Sequence, residues 1–228
     1  MSGPTALLFD LDGTLVDTAP DLGGAANRIR RDEGLAPLPL DELRPYASQG
    51  ARGLLRKALG LQTDDARYAE LRQRFLDYYR EDISLQSQLF AGFEPLLSAF
   101  ETHGRCWGVV TNKPTDLAEP LMRALGLADR AACLVGGDSA AKPKPAPDPL
   151  LMACRQIGRE PADCLYVGDD RRDIEAARSC KMPVIAALWG YYEAGEDPYS
   201  WGADGTAASP AQLMAWLEEN PETFATPV

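Results

Sequence analysis

The 228-residue chain contains one histidine, His103. A Ser-His-Asp triad or a histidine-ligated metal therefore has almost nothing to build on. The five cysteines, at positions 106, 133, 154, 164 and 180, are scattered and include no CxxC pair. That spacing offers neither a zinc site nor a disulfide framework, and it suits the reducing cytoplasm, where the protein is expected. No apolar run is long enough to span a bilayer, and the opening MSGPTALLFD lacks the basic flank of a signal peptide. There is no GxxxxGK[ST] loop for a nucleotide. Basic residues are outnumbered as well: 23 Lys and Arg face 34 Asp and Glu, for a net charge of −11. Nucleic acid and anionic membranes are poor partners for such a chain. A small anionic substrate would have to be met by a local cluster of cations or by a metal ion.

What remains is the composition of an ordinary globular protein, 45% hydrophobic and 25% charged, long enough for one large domain or a domain with an insert. The stretch LLFDLDGTLVDT, residues 7–18, is the most informative. Ala6 to Phe9 form the short, continuous apolar run of a strand covered on both faces. Side chains two apart on a strand point to the same side, so Asp10 and Asp12 face one spot. Two carboxylates held that close call for a cation between them or a proton on one of them.

Beyond residue 18 the pattern turns helical. Helices are predicted over 20–34, 50–60, 64–83 and 93–104, with a proline-rich loop over 35–48. The strongest, 64–83, carries Tyr68, Leu71, Phe75 and Tyr78 along one face, most simply as core of its own domain. No strand is predicted between 17 and 105. From 106 onward, strands at 106–111, 132–137, 164–170 and 183–189 alternate with helices at 115–126, 148–158, 172–180 and 210–219. This alternation predicts an α/β fold with a doubly wound parallel sheet. Residues 1–16 and 92–228 form that core, and 17–91 form an all-helical insert leaving it after the first strand. Ligands of open α/β sheets bind at the C-terminal ends of strands. Three polar clusters fall there: Asp10 with Asp12, Thr111 with Asn112, and Asp169 with Asp170. The loop GGD (136–138) reads as an ordinary turn.

Taken in order, DLDGT, TN, KPAPDP and GDDRRD resemble the four motifs of the haloacid dehalogenase superfamily, and within it the phosphatases with a helical cap. The resemblance covers essentially the whole chain. It implies Asp10 as the nucleophile that becomes an aspartyl phosphate, and Asp12 as general acid and base with its backbone carbonyl on the metal. It implies that the Thr111 hydroxyl bonds a phosphoryl oxygen and that Lys144 neutralises the phosphoryl group. Lys142 competes for that last role, but the KPxPxPLL context favours Lys144. Asp169 matches a metal ligand, and Asp173 a partner of Lys144 or of metal-bound water. Asp170 is a candidate additional ligand. The same aspartates also suit the N-terminus of a helix over RRDIEAAR. The metal set is Asp10, Asp12 and Asp169; its all-oxygen chemistry points to Mg²⁺. Thr14, Asn112 and Lys113 are expected to touch substrate, as is Arg52, which lies with Gln49 in the cap segment SQGARGLL.

The implied activity is Mg²⁺-dependent hydrolysis of a small phosphorylated metabolite. TNKPTDLAEPLM, GGD and KPAPDPLL resemble phosphoglycolate phosphatases. WGVVTNKP and the tail WGYYEAGEDPYSWGAD (189–204) resemble the related N-acetylmuramic acid 6-phosphate phosphatases. Both substrates carry a carboxylate that Arg52 fits. A phosphomutase of the β-phosphoglucomutase type would use the same aspartates, whereas dehalogenases lack the second one, present here as Asp12. The tail aromatics either line a sugar or pack the last strand against the core.

Overall fold

The first strand, β1 (Ala6–Phe9), is buried along its whole length because both faces of its sheet are covered. Its side chains divide with the two-residue period of a strand: Leu7 and Phe9 join one apolar cluster, Ala6 and Leu8 the other. The computed structural model describes residues 5–219. After β1 come β2 (Val16–Asp17), α1 (Ala19–Asp32), α2 (Leu40–Leu43), a 3₁₀ turn (Arg44–Gln49), α3 (Gly50–Leu59), α4 (Tyr68–Glu81) and β3 (Gln88–Leu89). The chain continues through α5 (Phe93–Thr102), β4 (Cys106–Val110), α6 (Thr115–Ala124), β5 (Leu134–Val135), α7 (Asp148–Ile157) and β6 (Cys164–Gly168). It ends with α8 (Arg171–Ser179), β7 (Val184–Ala187), β8 (Gly205–Ala207) and α9 (Pro210–Glu219).

The main sheet is parallel, in the order β5-β4-β1-β6-β7-β8. From β1 the chain builds one way through β4 and β5, then crosses over α7 to β6 on the other side of β1. That reversal opens a crevice at the C-terminal ends of β1, β4 and β6. No described helix is long and apolar enough to cross a membrane.

The helices α1–α4 form an insert whose two stems pair antiparallel, Val16 with Leu89 and Asp17 with Gln88. The expectation of no strand between 17 and 105 is corrected by this ribbon. Two residues per strand are too few to register as a period. β8 was likewise not expected, and β5 is shorter than the predicted 132–137. Asp21, in the first turn of α1, ties the returning stem down. Its buried carboxylate accepts from the Gln86 and Ser87 amides and from the Ser87 hydroxyl, at 2.7–3.0 Å.

Leu22 and Ile29 of α1, Leu54 and Leu55 of α3, and Leu71 and Phe75 of α4 share one core inside the insert. On α4 the buried tyrosine is Tyr79, not the expected Tyr78, whose hydroxyl donates to Asp32 at 2.6 Å. Both positions satisfy the helical period. The Tyr79 ring is the one that meets the sheet domain, with Lys113 Nζ 4.4 Å from its centroid.

Candidate active site

Asp10 is the first residue past β1, its backbone amide donating to Val167 O at 2.9 Å. Its Oδ1 accepts from the Leu11 amide at 2.7 Å and lies 3.0 Å from Lys144 Nζ. Lys144 reaches this point from the loop before α7 and is buried. Its ammonium also donates to Asp173 Oδ1 at 2.6 Å, the Tyr166 hydroxyl at 2.7 Å and Val110 O at 3.0 Å. Burial pulls the Lys144 ammonium down, but the Asp10 and Asp173 carboxylates outweigh it and hold the group above its ordinary value. Lys142, the rival, is exposed.

Asp169, just past β6, is fully buried. Its Oδ1 accepts from Thr14 Oγ1 at 2.7 Å; its Oδ2 accepts from the Tyr191 amide at 2.8 Å and from Ser48 Oγ at 3.0 Å. The backbone closes tightly around it. A Cβ on Gly13, whose φ is +87°, would stand 2.3 Å from Asp169 Oδ2, and one on Gly190 would stand 2.0 Å from Asp169 Cβ. Burial, reinforced by the charges of Asp10 and Asp173, pushes the Asp169 carboxyl well above the usual range. Asp173 is pushed up to about 7, again by burial first, with Lys144 opposing.

Carboxylate oxygens of Asp10, Asp169 and Asp173 lie within 4.8 Å of one another. Lys144 is the one ammonium in contact with any of the three among the described residues, so negative charge is left over. A hard divalent cation with oxygen ligands fits this donor set. Asp12 stands outside the cluster: its Oδ1 accepts from Lys113 Nζ at 2.9 Å and Thr18 Oγ1 at 2.6 Å. Burial pulls Lys113 down, and Asp12 beside it more than restores the charge, so its ammonium sits above its ordinary value.

The remaining expected residues sort themselves by what they touch. Thr111, at the end of β4, is buried and lines the cavity, its Oγ1 accepting from the Lys113 amide at 3.2 Å. The Asn112 side chain holds the Lys144 backbone, donating to its carbonyl at 2.9 Å and accepting from its amide at 3.0 Å. Thr14, expected to touch substrate, is fully buried against Asp169 instead; its hydroxyl is spent on that carboxylate. Asp170 caps α8, accepting from the Arg172 amide at 2.8 Å, and Asp173 completes the capping box. The capping reading of these aspartates is therefore met by the structure. In the GGD loop, Asp138 accepts from the Thr115 amide at 2.9 Å and so anchors the start of α6.

A cavity of about 280 Å³ opens over this crevice. Asp10, Asp12 and Lys144 lie on the sheet side; Gln49, Arg52 and one face of α4 close it from the insert. The tail aromatics do not line it, which corrects the sugar-lining alternative. Tyr191 is buried, its hydroxyl accepting from the Ala19 amide at 3.1 Å and donating to Asp17. Glu193 accepts from Arg56 at 2.6 Å and from Gln49 at 2.5 Å. The tail therefore ties the insert to the sheet. Ser48 and Arg72 were not singled out from the sequence, and Tyr191 was noted only as one of the tail aromatics; only the folded arrangement brings them to the cavity or its carboxylates.

Comparison with known proteins agrees with this architecture. A family model described as haloacid dehalogenase-like hydrolase matches residues 7–187. A phosphoglycolate phosphatase from Xanthomonas campestris pv. campestris is 46% identical over 219 residues, 95% of this chain and 99% of the relative. An N-acetylmuramic acid 6-phosphate phosphatase from Pseudomonas aeruginosa is 43% identical, covering 93% and 94% of the two chains. The crystal structure of a predicted phosphoglycolate phosphatase from Haemophilus somnus superposes with a TM-score of 0.83 at 28% identity, over 95% of this chain and 99% of that one.

Proposed function

The chain belongs to the haloacid dehalogenase-like hydrolases, and on that premise we propose that this phosphatase hydrolyses phosphomonoesters of small organic acids through an aspartyl phosphate. The observation that carries the reading is Lys144 between Asp10 and Asp173, at 3.0 and 2.6 Å, in the crevice where the strand order reverses. A carboxylate at such a position has a nucleophilic oxygen, a cation to meet the incoming phosphoryl group, and a cavity for the rest of the substrate.

In the first step an Asp10 oxygen attacks phosphorus and the bond from phosphorus to the ester oxygen breaks. Asp12 gives its proton to that leaving oxygen. In the second step Asp12 takes a proton from water, whose oxygen attacks the same phosphorus and releases phosphate from Asp10. Lys113 and Thr18 orient the Asp12 carboxylate, and Thr111 and Lys144 bind phosphoryl oxygens. Asp10, Asp169 and the Asp12 carbonyl would hold Mg²⁺, with Asp173 and Asp170 behind them. When bound, the ion offsets the charge on the nucleophile and the phosphoryl oxygens. Arg52 meets a carboxylate on the substrate.

Asp10→Asn tests the mechanism. Hydrolysis of p-nitrophenyl phosphate should fall to background while the circular dichroism spectrum is kept; near wild-type turnover would refute the nucleophile. For substrate, 2-phosphoglycolate should be turned over. A second reading, N-acetylmuramic acid 6-phosphate, is favoured by the extent of the cavity along α4. Side-by-side kcat/KM values decide between them. An advantage beyond about tenfold, about 1.4 kcal/mol in transition-state binding, assigns the substrate.

A further inference from the structure

Tyr68, Arg72, Phe75, Leu76 and Tyr79 all line the cavity, and their spacing is that of one face of α4. Tyr79 marks the reacting end, because Lys113 Nζ lies 4.4 Å from its ring centroid and 2.9 Å from Asp12. Arg72 stands seven residues nearer the N-terminus, about 10 Å along the axis at ~1.5 Å per residue. Helix side chains lean toward the N-terminus, so the lean does not bring Arg72 back toward the reacting end. Phe75 and Leu76 supply an apolar wall between the two.

Arg72 has no ion-pair or hydrogen-bond partner among the described residues. Its neighbours on and beside α4 do: Arg67 pairs with Glu33, Arg74 with Asp32, and Arg80 with Asp116. Of the three arginines that line the cavity, Arg172 pairs with Asp170, and Arg52 and Arg72 have no carboxylate partner among the described residues, so both are free to meet an anionic ligand. A guanidinium is suited to take a carboxylate through two parallel hydrogen bonds.

We propose that Arg72 is a specificity-determining residue that binds a carboxylate carried at the far end of a sugar-sized frame, while the phosphate of the same molecule sits at Asp10. The inference rests on the phosphatase reading above and extends it to the length of the substrate. In a two-carbon phosphorylated acid, the carboxylate carbon is three bonds of about 1.5 Å each from phosphorus, so it ends within roughly 5 Å. That group stays near Arg52, one helical turn past Ser48, whose hydroxyl is 3.0 Å from Asp169. Arg72 serves the longer acid.

The test compares wild type, R72Q and R72K on three substrates. These are 6-phosphogluconate, with its carboxylate five carbons along from the phosphate-bearing carbon; glucose 6-phosphate, without a carboxylate; and 2-phosphoglycolate. R72Q should lower the preference for 6-phosphogluconate over glucose 6-phosphate by about tenfold or more, mainly through KM. The ratio of 2-phosphoglycolate to glucose 6-phosphate should shift far less, and R72K should recover part of the loss. An unchanged preference in R72Q, or an equal fall for the short and the long acid, overturns the proposal. Calorimetric titration with 6-phosphogluconate separates the two readings. Binding weakened about tenfold in R72Q supports the subsite even without turnover, and unchanged or absent binding overturns it. Failure of the wild type to hydrolyse p-nitrophenyl phosphate would count against the phosphatase reading alone.

Discussion

Lys144 shows how much a single side chain carries here. Its ammonium meets Asp10, Asp173, the Tyr166 hydroxyl and the Val110 carbonyl. Removing one partner of a buried ion pair leaves the others charged and uncompensated, which costs about 3–5 kcal/mol. Lys144→Met should therefore lower the unfolding free energy by about that much in urea titrations as well as abolish turnover. Adding Asp173→Asn should restore part of the stability and none of the activity, since one surplus carboxylate is then neutral. Two lysines, 142 and 144, share one proline loop, and motif context alone ranked them. The physical reason for the choice is tertiary: Asn112 clamps the backbone of Lys144 from both sides, sending its side chain inward.

Among the secondary elements, the helices and the longer core strands were legible because each repeats its apolar period over several residues. The stems β2 and β3 were not, being two residues each and meaningful only when paired. What fixes them is Asp21 on α1, which gathers the amides of Gln86 and Ser87. Hydrogen bonds to a charged group contribute about 1.5–3 kcal/mol, and the freed buried donors add a desolvation cost. Asp21→Ala should accordingly destabilise the protein by about 2–3 kcal/mol in equilibrium unfolding. A loss below about 0.5 kcal/mol, the level of an ordinary surface change, would show that the ribbon is held elsewhere.

At the scale of the whole molecule, sheet and insert are joined around one cluster of buried carboxylates. Ser48 of the insert and Tyr191 of the tail both donate to Asp169, while Glu193 reaches back to Arg56. The three clustered carboxylates with one lysine repel one another unless a cation joins them or a proton neutralises one, and only the folded chain assembles them. A cation that binds the folded state alone stabilises it by mass action, by about 2.7 kcal/mol at a hundredfold excess over Kd. Mg²⁺ should therefore raise the melting temperature by several degrees, on the order of 2–4 °C per kcal/mol for a chain of this size. EDTA should reverse that shift and silence turnover. Ca²⁺, with longer bonds and looser geometry, should restore little activity. Full activity after exhaustive chelation, with no thermal shift on adding Mg²⁺, would exclude the metal centre.

The sequence by itself determined the strand-helix alternation, the helical insert after β1, and the carboxylates at strand ends, because each is a local pattern of apolar period or motif. Asp10, Asp12, Thr111, Lys144, Asp169 and Asp173 were all nameable from that pattern. The fold decided which of them meet. Thr14 turned to Asp169 instead of the cavity, Asp12 paired with Lys113, and the tail aromatics went to joining the insert to the sheet. Arg72 carried no signal in the sequence, and it became a cavity residue only when α4 was laid over the crevice. Such contacts are set by how the insert docks on the sheet, between residues far apart in the chain, and no local period encodes that geometry.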